Sequence, residues 1–407
     1  MHRHIGVKNG DKIMITKISD DTISINGKID SNNAAEFETR LLSAAGENYG
    51  DITLDAGGLE YISSAGLRVL LKLKKGTKGK VSVINVSPDV YDIFGVTGFD
   101  NILDVKKAIR EIDVTGCEVI GQGGNGTVYR LDADTIVKVY RPIVKLEQIE
   151  RERAFAKNAL INGIPCVIAY DVVKCGNSYG IVFEMLKSDT LGHAMSNNPD
   201  KFEEYVEKYV ALAKELHSAD LDKNAFTSIK TVLHNRVPNL SKWCSEEEMQ
   251  LINSLIDEMP DETSLIHGDF HPGNIMIQDG ELLLIDMPEV TVGAKIWDIA
   301  AIYRDMVSAP QVSKGETMKM LEKSTGMPKE LMLKTGYRFF ELYTGITDRE
   351  KLEAYFKGLG LVYALNVVLV VGSGSPHAVA MAESIMDNLL RKVIIPNEQA
   401  LRRILKS

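Results

Sequence analysis

Residues 266–277, Ile266-His267-Gly268-Asp269-Phe270-His271-Pro272-Gly273-Asn274-Ile275-Met276-Ile277, constrain this chain more than any other stretch. They read as a short loop between apolar runs, and they bring one carboxylate, one carboxamide and two imidazoles within eight residues. An apolar strand follows and ends in a second acid, Leu282-Leu283-Leu284-Ile285-Asp286. Such an arrangement suits phosphoryl transfer from a nucleotide. One carboxylate orients the attacking hydroxyl, while an Asn and a second Asp hold magnesium ions on the phosphates. Asp and Asn are also common turn residues, so the loop gains its meaning from what precedes it.

Upstream lies Val119-Ile120-Gly121-Gln122-Gly123-Gly124-Asn125-Gly126-Thr127-Val128-Tyr129-Arg130. Glycines at 121, 123 and 126 let a strand-turn-strand approach phosphates closely. The same letters occur in dinucleotide folds, where a helix follows. Here another strand follows, Thr135-Ile136-Val137-Lys138-Val139-Tyr140, with a lysine inside an apolar run. That lysine should be snorkelling or paired, and the Gly-rich hairpin beside it points to nucleotide phosphates. A phosphate-bound lysine needs a carboxylate to position it, and the helix expected over about 145–162 offers Glu147, Glu150 and Glu152. Ile149, Glu152, Ala156 and Leu160 share one side at helical spacing, so Glu152 faces inward. The alternative makes Glu150 and Glu152 members of a solvated Glu/Arg run. Further on, residues 202–217 form an amphipathic helix with Phe202, Tyr205, Val206, Tyr209, Val210, Ala213 and Leu216 on one side, and its His217 reads as a packed core residue. From about 297 onward the chain is mainly helical, with apolar spacing in 329–345 and 351–371 and no acidic cluster suited to a polycationic ligand.

With 407 residues, 44% hydrophobic and 25% charged, the chain has room for two or three globular domains. Its net charge of -9 gives no electrostatic footprint for nucleic acid or an anionic membrane. Residues 1–112 hold 15 Lys/Arg and 15 Asp/Glu, so the acidic excess lies in the remainder. Cys117, Cys166, Cys175 and Cys244 are far apart, which argues against a zinc site and for free thiols in a reducing compartment. Met1-His2-Arg3-His4 lacks the apolar core of a secretory signal, and the longest apolar run, Leu359 to Gly372, is too short to cross a bilayer. A cytoplasmic location is the expectation.

In the first hundred residues strands and helices alternate, which predicts a small α/β domain with helices packed on one sheet. Two strands flank an Asp20-Asp21 turn between Lys12 and Ile29; Ser31-Asn32-Asn33 supply caps for a helix with Ala35, Phe37, Leu41 and Leu42 inward. Asp51–Asp55 and Lys80–Val86 read as strands, Leu67–Leu73 as a helix, and Pro88 opens another. Lys106–Ile112 reads as a closing helix, and Val114–Val119 as the start of the next strand. Within Leu59-Glu60-Tyr61-Ile62-Ser63-Ser64-Ala65-Gly66-Leu67 a strand runs through two serines into a helix. A phosphate on a serine there would gain hydrogen bonds and about 0.3–1 kcal/mol from the helix dipole. By spacing alone, either serine reads first as a plain N-cap.

Two resemblances follow. Residues 1–112 resemble a STAS domain, the fold of anti-sigma-factor antagonists and of the cytoplasmic ends of sulphate transporters, through Gly27-Lys28-Ile29-Asp30, Ile52–Asp55, the Ser-Ser-Ala-Gly-Leu turn and Val83–Pro88. The antagonists' regulated serine corresponds to Ser64; Ser63 stands in place of their preceding Asp, and Ala65 in place of a second Ser. Residues 113–407 resemble the protein-kinase-like superfamily in the His-Gly-Asp form of aminoglycoside phosphotransferases and choline kinases, with Gly268 where protein kinases carry Arg and Met287-Pro288-Glu289 where they carry Phe-Gly. The likeness implies a bilobal α+β fold that uses ATP and Mg2+. It makes Asp269 the catalytic acid that orients and deprotonates the hydroxyl, and Asn274 and Asp286 the metal ligands. Gly121, Gly123, Gly126, Val128, Lys138 and Glu152 would serve the nucleotide, with Glu184 to Leu186 as the hinge that meets adenine. It leaves His267 as a loop buttress, His271 as either structural or near substrate, and Asp298 of Trp297-Asp298-Ile299-Ala300 as a structural anchor.

Three functions fit these expectations. The first is transfer of the γ-phosphate to a small-molecule hydroxyl under control of the STAS domain, which would also contact a protein partner. The second is a protein serine kinase acting on Ser64. The third is a nucleotide-binding partner-switching module without turnover.

Overall fold

The computed structural model describes residues 13–46, 49–123, 125–221, 226–288 and 290–406. Met1–His4, Lys12, Gly124 and Glu289, on which some expectations rest, lie outside them. Contacts divide the chain into two compact units, Met1–Ile112 and Asp113–Ser407.

The first unit holds one sheet of β1 (Met14–Lys17), β2 (Thr22–Ile29), β3 (Ile52–Ile62), β4 (Val81–Val86) and β5 (Asp104–Lys107), in that spatial order. The β1–β2 pair is antiparallel, and the other three pairs are parallel. Parallel neighbours need crossovers, and these are α1 (Ala34–Ala45), α2 (Ser64–Gly76) and α3 (Pro88–Thr97). Ile23, Ile25, Ile29, Leu54, Val83 and Phe94 form the core with Phe37, Leu41, Leu70 and Leu73.

Four local expectations are corrected. Asn33 does not cap α1 with its side chain; Oδ1 accepts the Asp30 N–H at 2.9 Å and Nδ2 donates to the Lys28 carbonyl at 2.8 Å, so it ties the preceding loop instead. Ala34 and Ala45 are the buried alanines of that helix, and Ala35 is exposed. Residues 106–112 contain no helix; β5 pairs with β4, and Leu103 is buried beneath it. Asp113 accepts the Thr115 N–H at 2.9 Å in a turn, so the following strand begins only at Val119.

In the second unit the strands Ala169–Cys175, Ser178–Glu184, Thr135–Tyr140, Gly126–Arg130 and Val119–Gln122 lie side by side in that order, all antiparallel. The helix Leu146–Ile161 packs on them and buries Ile149, Glu152, Phe155, Ala156 and Ala159. The rest of the unit is helical apart from short strands around residues 266–292. One hairpin, Ile275–Gln278 with Glu281–Leu284, turns through Asp279 and Gly280, whose φ angles of 52° and 87° suit a two-residue turn. The helix Phe202–Ser218 sends Tyr209 under this region, with ring centroids 5.1 Å from Phe270 and 4.8 Å from Phe339.

The apolar run ending at Gly372 belongs to a longer helix than expected, Arg349–Gly372, of 24 residues. Asp348 caps it by accepting the Lys351 N–H at 2.9 Å, and its first turns are amphipathic. By length and composition this helix could cross a membrane; ten of its residues are buried in the unit's core.

Candidate active site

The Gly-rich hairpin separates its three glycines by role. A Cβ on Gly126 would lie 2.2 Å from the Val139 carbonyl oxygen, so this glycine is required by strand packing. A Cβ on Gly121 would come no nearer than 3.6 Å to Val128, and one on Gly123 would meet nothing within 4 Å. The room at 121 and 123 is therefore left by the protein for something else. Gly126→Ala should destabilise the unit by about 1–3 kcal/mol through overpacking. Gly123→Ala should leave the melting temperature unchanged yet weaken Mg-ATP binding, as thermal denaturation and calorimetric titration would read.

Val128 is paired with Lys138 across adjacent strands, so the two share a sheet face. The Lys138 ammonium lies 3.0 Å from Glu152 Oε1 and 2.5 Å from Asp286 Oδ1, and 4.9 Å from the Tyr140 ring centroid. Strand, helix and loop thus converge on one cation. Burial pushes the lysine's pKa down, but the charges of Glu152 and Asp286 outweigh it and raise the value. Burial raises the Glu152 pKa by more than Lys138 lowers it. The inward choice among the three glutamates corresponds to Glu152, which is 3% exposed. Asp286 adopts φ 56°, a left-handed conformation rare outside glycine and typical of functional sites.

The loop carrying Asp269 is suspended from Asp298, a fully buried carboxylate. Its oxygens accept the His267 N–H at 3.1 Å and the Gly268 N–H at 2.8 Å, with His217 Nε2 at 3.4 Å. Burial would raise the Asp298 pKa, and the two histidines with the His267 N–H more than reverse this. His217 is therefore buried but also bonded, bridging Asp298 to the Tyr343 hydroxyl. His267 accepts the Asp269 N–H at Nδ1 and reaches the Ile285 carbonyl with Nε2, tying the two acid-bearing segments together. Tyr209 donates to the Phe270 carbonyl at 2.9 Å.

Asp269 itself is half exposed. Its Oδ2 accepts from Asn274 Nδ2 at 3.0 Å and lies 3.6 Å from His271 Nε2; its Oδ1 accepts from Arg304 at 3.1 Å. Burial acts to raise its pKa, but His271, Arg304 and His267 hold it well below the usual carboxylate range. His271 accepts the Gly273 N–H at Nδ1, which leaves Nε2 facing the carboxylate. Burial lowers the His271 pKa, and Asp269 raises it by more.

The residues fit magnesium and a nucleotide. Asn274 spends its Nδ2 on the backbone and side chain of Asp269, and among the described residues its Oδ1 has no partner. Asp286 is about two-fifths exposed and keeps Oδ2 free of protein donors among those residues. Two oxygen donors with open positions suit Mg2+, which retains waters and phosphate oxygens. No cluster of three or more His, Cys, Asp or Glu capable of holding a metal occurs among the described residues.

The hinge is more restricted than the sequence implies. Glu184 turns its carboxylate to the Ile168 N–H at 2.7 Å, and Met185 donates its N–H to the Asp134 carbonyl at 2.8 Å. Among the described residues the Leu186 N–H has no partner. At the other serine-bearing turn, Ser63 is the N-cap of α2, accepting the Gly66 N–H at 3.4 Å, while Ser64 is the exposed first helical residue.

Sequence reasoning missed Arg304 and Asp305. Arg304 follows directly on the helix Ile296–Tyr303 that carries Asp298, in a π-helical segment of a kind common at functional sites. Its one sequence signal, an Arg-Asp pair after an apolar helical run, does not by itself point to a site.

A family model described as the phosphotransferase enzyme family matches residues 116–318, and a STAS domain model matches residues 12–112. Fold and constellation together define an ATP-dependent phosphotransferase. BtrV of Bordetella bronchiseptica, provisionally described as an anti-sigma factor antagonist, is 34% identical over 101 residues, covering 24% of this chain and 87% of its own. Among solved structures, the gentamicin complex of APH(2'')-IIa is 14% identical, covers 78% of this chain and 98% of its own, and has a TM-score of 0.44. A choline/ethanolamine kinase family protein from Mesorhizobium loti is 13% identical over 71% and 92%, with a TM-score of 0.43. Residues 116–318 therefore carry a domain of the phosphotransferase enzyme family, and a STAS domain precedes it in the chain.

Proposed function

We propose that this enzyme moves the γ-phosphate of ATP to a hydroxyl of a small molecule and that its STAS domain regulates the transfer and contacts a protein partner. The observation that carries the reading is the half-exposed Asp269 carboxylate, set beside the open Oδ1 of Asn274 and in the same unit as the Lys138–Glu152–Asp286 cluster. Lys138 would hold nucleotide phosphate, with Glu152 fixing its ammonium. Asn274 and Asp286 would hold magnesium, which when bound neutralises charge developing on the phosphates. Asp269 orients the acceptor hydroxyl and takes its proton. A bond forms from that oxygen to the γ-phosphorus, and the bond to the bridging oxygen breaks, its electron pair leaving on ADP. ATP use and four free cysteines favour a cytoplasmic setting. ADP formation from Mg-ATP that depends on an added hydroxyl compound, and is lost with Asp269→Asn, tests the reading.

A second reading has its own support. Ser64 is exposed on the first turn of α2 while Ser63 performs the capping, so a phosphate on Ser64 need not cost the cap. Under that reading the protein is a serine kinase acting on a STAS domain. Ser63→Ala should destabilise the first unit by about 0.5–2 kcal/mol, whereas Ser64→Ala should leave its denaturation midpoint unchanged. Equal effects would mean that the two serines share the cap. Binding without turnover is disfavoured, because a decayed site loses at least one member of the Lys138, Glu152, Asp269, Asn274 and Asp286 set.

A further inference from the structure

We infer that Arg304 is an oxyanion-binding residue on the acceptor side of Asp269, the oxyanion being either a carboxylate or phosphate of the acceptor or the phosphoryl group in transfer. This inference rests on the phosphotransferase reading and adds a residue that the motifs do not contain. The guanidinium is held rather than free. Its Nε and one Nη donate to the two oxygens of Asp305, at 2.7 and 2.5 Å, and Asp305 is 6% exposed. The same Nη donates to Asp269 Oδ1 at 3.1 Å, and Tyr363 lies with its ring centroid 6.0 Å away.

A guanidinium offers five N–H donors in a fixed fork. Three are spent here, and among the described residues both donors of the other Nη have no partner. The side chain remains a quarter exposed. A guanidinium braced by a buried carboxylate and left with both N–H donors of one Nη is preorganised to hold oxygen anions. Its position assigns the partner. Asn274 holds the Oδ2 side of Asp269, and Arg304 approaches Oδ1. Arg304 thus stands at the carboxylate oxygen that Asn274 does not hold, so a group brought to that oxygen comes within reach of the guanidinium. Asp298 and Arg304, six positions apart on consecutive helical segments, hold the loop backbone and its carboxylate respectively.

The test is equilibrium titration of the full chain, as wild type, Arg304→Gln and Arg304→Lys, with two probes. Mg-ADP with tetrafluoroaluminate imitates the phosphoryl group in transfer; glycerol 3-phosphate, added to protein saturated with Mg-AMP-PNP, imitates an anionic acceptor. Arg304→Gln should weaken one of them about tenfold or more, the scale of a charge-assisted hydrogen bond. Arg304→Lys should recover part of the loss, and the affinity for Mg-AMP-PNP alone should stay within about twofold. The probe that weakens identifies the source of the oxyanion. If both probes bind Arg304→Gln as they bind wild type, or if neither binds wild type that has bound Mg-AMP-PNP, the inference is overturned. Wild type that fails to bind Mg-AMP-PNP refutes the phosphotransferase reading itself, a separate outcome.

Discussion

Asp269→Asn should lower phosphoryl transfer from Mg-ATP by about 10²–10⁴-fold, the range attributed to a positioned general base, with little change in Mg-ATP affinity. The substitution preserves size and shape but removes the proton acceptor. It also leaves one oxygen and one amide where Arg304 and Asn274 both need an acceptor, so one of those two hydrogen bonds is lost. The loop should nevertheless stay in place, because Asp298 grips the two preceding N–H groups and His267 reaches the Ile285 carbonyl. Steady-state kinetics separates the effects: a fall in kcat with an unchanged KM for ATP is the signature of lost transition-state chemistry. Turnover at the wild-type rate would place the base elsewhere.

Asp298→Ala should destabilise the kinase-like unit by about 3–5 kcal/mol, the scale for breaking a buried charged network. Asp298 is fully buried and has three donors directed at it, so its removal leaves the His267 and Gly268 N–H groups and the His217 ring without an acceptor. Asp298→Asn keeps one acceptor oxygen and should lose less. The shift in urea midpoint at constant slope measures the difference. Activity should fall along with stability, since the same oxygens suspend the catalytic loop. Lost activity without lost stability would make Asp298 a direct ligand of phosphate or metal and not an anchor.

What the sequence revealed was what local spacing can encode. Asn274 follows Asp269 by five positions in one loop, Lys138 stands out against Ile136, Val137 and Val139, and Glu152 shares a helical side with Ile149 and Ala156. Each of those signals lies within one element, and the fold brings Lys138 and Asp286 together across 148 positions. Arg304 contacts Asp269 across 35 positions from a segment whose own pattern is that of a core helix, so nothing local marks it. The Ser63–Ser64 ambiguity had a different origin. Both are good caps by type, and only the backbone, extended at Ser63 with φ -84° and ψ 168°, decides between them. Residues 106–112, read as a helix, begin inside the edge strand β5, where charged lysines such as Lys106 and Lys107 protect the sheet. At residues 184–186, long-range pairing of Met185 with Asp134 decides which amide is open, and no local pattern encodes that pairing.

The central claim is transfer to an external hydroxyl, and following the γ-phosphate tests it most directly. Full-length protein is incubated with Mg-ATP carrying 18O-labelled γ-phosphate and the low-molecular-weight extract of the cells that make it. Intact mass of the chain and mass spectra of the filtrate then locate the label. The account predicts label in a small phosphate monoester, an unmodified chain, and loss of both ATP consumption and product with Asp269→Asn. Label confined to Ser64, or γ-phosphate that never leaves ATP, would contradict it.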